Sequence, residues 1–178
     1  SRSFADRGLR EIGKVEEAVA NFASSCSRKL KEQKSCCRAI TVFVYTSRFN
    51  TSEPYHAINR TVTLPVATND LREIVSSAVA ALRSEWRGDG IYSYKKAGVI
   101  VWNICPDTAV QTDLFDSVDR GKQARLAAAI AAINRKNGYN TVKVAVQGTD
   151  KGWHLKHEHA SRHYTTNIDD VISVRTFR

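Results

Sequence analysis

From Val15 to Leu30 the apolar positions Val15, Val19, Phe22, Cys26 and Leu30 recur three or four apart, with polar residues between them. That is the period of a helix with one face turned to a core. The pattern then changes. RAITVFVYT, Arg38 to Thr46, is β-branched and aromatic. AINRTVTLPV, Ala57 to Val66, alternates, with Val62, Leu64 and Val66 on one face and Thr61 and Thr63 on the other. Both stretches predict strands. Helical spacing returns in Leu71, Ile74, Val75, Ala78, Val79, Leu82 and Trp86. Asp70 is placed as the N-cap of that helix, Glu73 as its capping-box partner and Gly88 as its stop. YSYKKAGVIVWNI, Tyr92 to Ile104, predicts a further strand, apolar on both faces near its end, and Ser3 to Leu9 a short one at the front.

The order β-α-β-β-α-β predicts an α+β fold of the split βαβ or ferredoxin-like kind. Its four-stranded antiparallel or mixed sheet carries two helices on one face and leaves the other open. Many functions use this topology, so it assigns none by itself. The reading divides the chain into a unit over 1–104, a linker over 105–119 and a small C-terminal α/β unit over 120–178. In the last, Leu126, Ile130 and Ile133 form a helical stripe that ends near Gly138, and TVKVAVQG, Thr141 to Gly148, alternates as a strand. The remainder is polar, with one short apolar run near Val171, and reads as only partly ordered.

Composition adds a core and a sign of charge. Of 178 residues, 42% are hydrophobic, enough to bury a core, and no apolar run approaches the roughly 18 residues that span a membrane. SRSFADRG holds no apolar signal-peptide segment, and a chain that opens Ser-Arg-Ser and lacks methionine is expected to be a piece of something longer. Lysine and arginine number 27 against 18 acids, a net +9 that favours anionic partners, nucleic acid above all. Cys26, Cys36, Cys37 and Cys105 have neither zinc-ligand spacing nor a disulfide framework, and read as small hydrophobes of a reducing cytoplasm.

Few residues suggest catalysis. There is no phosphate-binding Gly-x-x-x-x-Gly-Lys-Ser/Thr loop and no local Ser-His-Asp or Cys-His pattern. Asp113, Asp116, Asp119, Asp169 and Asp170 stand in loops or at helix starts, where acids act as caps. His154, His157, His159 and His163 have spacings a metal can use, but Lys151, Lys156 and Arg162 interleave with them and disfavour a cation, so no metal site is assigned. The basic residues nearest the strands are Arg2, Arg7, Arg38, Arg48, Arg60, Lys95 and Lys96. Read with the open sheet face, they make a surface for a duplex backbone. An alternative is a stand-alone nucleic-acid module of RRM-like topology, with Phe43 and Tyr45 as candidate stacking residues, although the Gly-Phe-rich motif is absent. Another is a protein-interaction domain without duplex affinity.

In the linker, Gln111-Thr112-Asp113-Leu114-Phe115 sets a Leu-Phe pair among polar residues. An exposed pair of this kind is costly unless something covers it. Either it docks on its own domain or it is an anchor for a partner. Gln-x-x-Leu-Phe has the form of peptides that bind bacterial sliding clamps, in which Leu114 and Phe115 would fill an apolar pocket and Gln111 would hydrogen-bond at its edge.

Several segments, in order, carry a resemblance over nearly the whole chain. They are RSF at Arg2–Phe4, FVYTSRFNTSEPY at Phe43–Tyr55, YKKAGVIV at Tyr94–Val101, QTDLFD at Gln111–Asp116, VQG at Val146–Gly148, WHLKHE at Trp153–Glu158 and YTT at Tyr164–Thr166. The chain resembles the C-terminal part of UmuC-type Y-family DNA polymerases, the family of the catalytic subunit of DNA polymerase V. The resemblance implies that residues 1–104 are the little finger, whose sheet lies in the DNA major groove, and that Gln111, Leu114 and Phe115 are the clamp motif. It implies that residues 120–178 are the family's small C-terminal domain, a region implicated in contact with the UmuD′ accessory subunit. It also implies error-prone translesion synthesis in DNA repair and the SOS response, in the bacterial cytoplasm. The polymerase's catalytic residues map onto nothing here, so the fragment is expected to be non-catalytic and without a cofactor, Mg²⁺ belonging to the missing catalytic domain.

Overall fold

The computed structural model describes the chain apart from residues 5–7, 115, 117, 139, 150–151, 154–160, 173 and 175–178. Its elements are β1 (Arg2–Ser3), α1 (Ile12–Glu32), β2 (Ser35–Thr46), β3 (Ala57–Thr68), α2 (Leu71–Glu85), β4 (Tyr94–Pro106) and α3 (Arg120–Asn137). The anticipated β-α-β-β-α-β order is therefore present, in a mixed α+β fold. The sheet runs β1-β4-β2-β3 and every pairing is antiparallel. Hence β1 and β2 are parallel with β4 between them, and β3 and β4 are parallel with β2 between them: two interlocked split βαβ units. β4 and β2 are the central strands, and β1 and β3 lie at the edges. β2 and β4, 12 and 13 residues, pair along nearly their whole extent, while β1, two residues, reaches only the edge.

Both helices cover one face. Val15, Ala18, Val19, Ala23 and Leu30 of α1 meet Ile74, Val75, Ala78 and Leu82 of α2 over Ile40, Val42 and Val44 of β2 and Ala97 and Val99 of β4. The sequence period of each element supplies its inward face. Bidentate hydrogen bonds from Arg83 to the buried Glu16 tie the two helices together. Cys36 and Cys37 are buried, Cys26 and Cys105 half-buried, and all four are free thiols. Among the described residues no helix is long and apolar enough to cross a membrane.

Several boundaries differ from the sequence reading. The front strand is not Ser3–Leu9; it is Arg2–Ser3, followed by a lone bridge from Leu9 to Tyr94. Asp70 does cap α2, accepting from the Arg72 and Glu73 amides at 2.9 and 3.2 Å. The box is not closed, however, because the Glu73 carboxylate is held by Arg120 of α3 at 2.6 Å. α2 stops at Glu85, short of Gly88, as Trp86 adopts an extended conformation and its ring packs on Tyr94 at 5.0 Å.

The stretch Thr141–Gly148 is not a strand. It forms turns and a 3₁₀ turn at Ala145–Gln147, packed on α1, away from both sheet edges, where no partner strand is available. Its alternation is real but serves another surface: Val144 and Val146 rest against the core. Beyond it, Trp153, in a segment that reads as partly ordered, is 3% exposed and belongs to the core. α3, in contrast, has no buried residue, and Leu126 and Ile133 of its stripe remain exposed.

Candidate nucleic-acid interface

The sheet face opposite the helices is built by strand alternation. From β2 it takes Ala39, Thr41, Phe43 and Tyr45, whose neighbours Ile40, Val42 and Val44 point into the core. Register then fixes four rows. Thr63, Ala39 and Trp102 form the first, and Thr61, Thr41 and Ile100 the second. Asn59, Phe43 and Gly98 form the third, and Ala57, Tyr45, Lys96 and Ser3 the fourth.

Aromatic rings occupy both central strands of this face. Phe43 and Tyr45 lie near-parallel, 17° apart, with centroids at 5.5 Å. A side chain at Gly98 would come within 2.3 Å of the Phe43 ring, so the glycine leaves room for that ring to lie down on β4. Trp102 is 50% exposed, and its indole N–H donates to Thr41 Oγ1 at 2.8 Å, beside the 2.7 Å contact between the Thr41 and Thr61 hydroxyls. Tyr55, 49% exposed, accepts a hydrogen bond from Arg48 Nε at 3.4 Å, and the guanidinium stands 5.5 Å over its ring. That hydroxyl raises the Arg48 pKa above its ordinary value. Together these side chains line a shallow trough of about 890 Å³.

An adjoining hollow of about 620 Å³ is lined by Ser47, Arg48, Phe49, Lys95 and Lys96, together with Tyr45 of the trough. Phe49, at the tip of the β2–β3 loop, is 96% exposed. Among the described residues, no aspartate or glutamate lines the trough or the hollow. The whole surface is thus aromatic in the middle, hydroxyl- and amide-bearing toward β3, and cationic at the β2–β3 loop.

The sequence-predicted DNA residues divide between the faces. Arg48, Lys95 and Lys96 gather at the hollow. Arg38 is exposed at the irregularity between Cys37 and Ala39, toward the other end of β2. Arg60 lies opposite Val42, a core position, and so belongs to the helix-bearing side, where Glu85 of α2 stands 3.5 Å from it. Arg2 lies opposite buried Ala97 and shares that side. Arg7 falls outside the described residues. Trp102, Ile100 and Tyr55 were not singled out from sequence. The signal available was the run of apolar residues on both faces at the end of β4.

In the linker, β4 continues to Pro106 and a 3₁₀ turn follows at Asp107–Ala109. Gln111 is exposed and Leu114 is 92% exposed, so Leu114 does not dock on its own domain; Phe115 lies outside the described residues. Asp116 is fixed by Arg120 Nε at 2.7 Å, which holds its carboxyl below the usual carboxylate range, helped by the Val118 amide. Of the histidines 154, 157, 159 and 163, only His163 is among the described residues; its Nδ1 lies 3.8 Å from Asp170. Among the described residues no group of three or more His, Cys, Asp or Glu side chains is placed to hold a metal ion.

Fold and face define a class: an α+β domain whose helix-backed antiparallel sheet offers an aromatic and basic surface. Comparison with known proteins places it more closely. The family model for the impB/mucB/samB family C-terminal domain matches residues 1–114, and the domain of unknown function DUF4113 matches residues 124–174. The chain is 36% identical to Protein UmuC of Salmonella typhimurium over 176 residues, 98% of this chain and 41% of that protein. It is 34% identical to Protein ImpB of Salmonella typhimurium over 176 residues, 98% of this chain and 41% of that protein. It is 37% identical to Protein MucB of Escherichia coli over 169 residues, 94% of this chain and 39% of that protein. The chain belongs to the impB/mucB/samB family and is the C-terminal part of a UmuC-type, Y-family protein. It spans about two fifths of the length of these relatives.

Proposed function

We propose that this chain is the non-catalytic, DNA-gripping and clamp-tethering part of an error-prone translesion DNA polymerase acting in DNA repair and the SOS response in the bacterial cytoplasm. Family membership supports the parent activity. The observation that carries the grip is the basic hollow of Arg48, Lys95 and Lys96 on the uncovered sheet face. Cations on a flat sheet suit a duplex backbone, and phosphate contacts carry no base information, which fits passage over damaged templates. Residues 1–104 serve as the little finger, and 105–119 as the tether, with Gln111, Leu114 and Phe115 meeting the sliding clamp. Residues 120–178 offer a surface to the UmuD′ accessory subunit. Mg²⁺-dependent nucleotide transfer belongs to the catalytic domain outside this chain.

The test is duplex primer–template binding by fluorescence anisotropy at several salt concentrations. Lys95→Gln with Lys96→Gln is expected to weaken binding equally across sequences and to flatten the salt slope by roughly one unit per lost phosphate contact. Marked preference for one sequence, or affinity insensitive to salt, overturns the reading.

A further inference from the structure

Cations explain an attraction to phosphates, but they do not explain the rings. A duplex presents its base faces to one another, and its grooves and backbone offer nothing for Phe43, Tyr45 and Trp102 to lie against face to face. Nor does the fold need these rings, since the core lies on the other side of the sheet. They stand on the two central strands, β2 and β4, around one trough. The Phe43 and Tyr45 rings lie near-parallel with centroids 5.5 Å apart, and both line the trough. The indole of Trp102 is held by its hydrogen bond to Thr41, a fixed rather than a swinging plate.

We propose that this face is a stacking platform for the unpaired nucleotides of a single-stranded nucleic acid. Every base has a π face, and only unpaired bases expose it, so aromatic plates beside a cationic track select single strands without choosing sequence. The cationic track is present: Arg48, Lys95 and Lys96 border the trough at the Tyr45 end. Among the described residues the lining carries no carboxylate to repel phosphates. Asn59, Thr61 and Thr63, on the β3 side, supply donors and acceptors for base edges. The arrangement is sequence-tolerant and salt-sensitive, and it adds an unpaired-strand site to the duplex grip proposed above. The two share Lys95 and Lys96 but not the rings.

The probe is a fluorescein-labelled 12-nucleotide oligo-dT, compared with a blunt duplex of mixed sequence, titrated with the 178-residue chain. Binding of oligo-dT is expected to quench tryptophan fluorescence, and the quench is expected to vanish in Trp102→Phe, because Trp153 is buried in the core and Trp86 packs on Tyr94. Trp102→Phe keeps a ring and most of the affinity. Trp102→Ala and Phe43→Ala each lose at least about fivefold in oligo-dT affinity while duplex affinity stays within about twofold. Circular dichroism confirms that these surface variants fold. Three results overturn the proposal: no oligo-dT binding by the wild type, a quench that persists in Trp102→Phe, or equal losses for single strand and duplex in the alanine variants. The first and last leave the duplex reading standing. A change of oligomeric state in Trp102→Ala without loss of oligo-dT affinity also overturns it, and assigns the face to a second copy of the chain.

Discussion

The indole N–H of Trp153 donates to Glu17 Oε1 at 3.2 Å, across a sequence separation of 136 residues. Both partners are buried, Glu17 on α1 and Trp153 on the segment that follows the 3₁₀ turn. The Trp153 ring meets Phe22 edge-on at 5.5 Å and Phe4 at 6.4 Å. Gly148, at φ +61°, passes so close to the Glu17 carboxylate that a Cβ would lie 2.5 Å from it. Trp153 is therefore part of the same core as α1 and the sheet.

From this contact, Trp153→Ala is expected to destabilise the chain by about 3–5 kcal/mol, the usual range for deleting a buried tryptophan. It also takes a hydrogen bond from a buried carboxylate, which adds to the cost. Trp153→Phe keeps the edge contacts and should lose less. Urea unfolding with intrinsic fluorescence measures this. A midpoint unmoved by Trp153→Ala would mean that the segment merely rests on α1.

Alkali is expected to weaken the fold below the range in which arginine titrates. Burial pushes the Cys37 thiol from 9.0 to about 12, with the neighbouring thiols Cys26 and Cys36 adding to it. Burial likewise pushes the Tyr94 phenol from 10.0 to about 12, with Tyr92 adding and Arg87 opposing. Both folded pKa values are raised, so the folded chain keeps protons that the unfolded chain releases. Their stabilisation is complete below about pH 9 and is lost as the pH rises toward 12. For Tyr94 the loss is about 3 kcal/mol at the end of that window, at about 1.4 kcal/mol per unit. Melting temperatures at pH 8 and pH 11 check this, and Tyr94→Phe should narrow the difference. An equal drop in that variant removes Tyr94 from the explanation.

The parts legible in sequence were those with one dominant period. α1, α2, β2, β3 and β4 each show an inward face that burial then reproduces, Val62, Leu64 and Val66 against Thr61 and Thr63 being the clearest case. Thr141–Gly148 misled because alternation reports one buried side, whether the cover is a strand neighbour or helix α1. Trp153 was hidden because a single large residue in a polar run has no period; only its size hinted at burial. On the site, charge located Lys95, Lys96 and Arg48 but could not separate them from Arg60, which alternation alone sends to the other face through its register with Val42. The aromatic trough was half visible: Phe43 and Tyr45 are two apart on one strand, whereas Trp102 joins them only through the pairing of β2 with β4.

Arg120 ties the linker to the sheet unit. It bonds Asp116 through Nε at 2.7 Å and Glu73 through Nη1 at 2.6 Å, just where Asp119 caps α3 by accepting from the Lys122 amide at 2.8 Å. Arg120→Ala is expected to cost only about 1 kcal/mol, since the side chain is part-exposed and screened by solvent. Its main effect is local: faster amide hydrogen exchange at the start of α3. Arg120→Lys should restore little, because a point charge does not span two carboxylates as a guanidinium does. Uniform exchange change across α1 and β2 would instead mark a global loss of stability.

The clamp motif yields the sharpest separation of readings. Leu114 is 92% exposed, so its replacement removes no core contact, and surface changes of this kind stay within about 0.5 kcal/mol of stability. Burying a leucine or a phenylalanine in a partner's pocket is worth roughly 1.5–3 kcal/mol each. Ordering the linker takes back part of that gain, so the isolated contact should be on the order of micromolar. Leu114→Ala is then expected to weaken binding to a bacterial sliding clamp at least about tenfold, and Leu114→Ala with Phe115→Ala to abolish it, with melting temperature and duplex affinity unchanged. Gln111→Ala should cost less, as the loss of one hydrogen bond at the pocket edge. Surface plasmon resonance on immobilised clamp gives the affinities. Unchanged clamp binding in the double variant would place the tether elsewhere, and a fall in melting temperature with it would show that Phe115 is part of the fold.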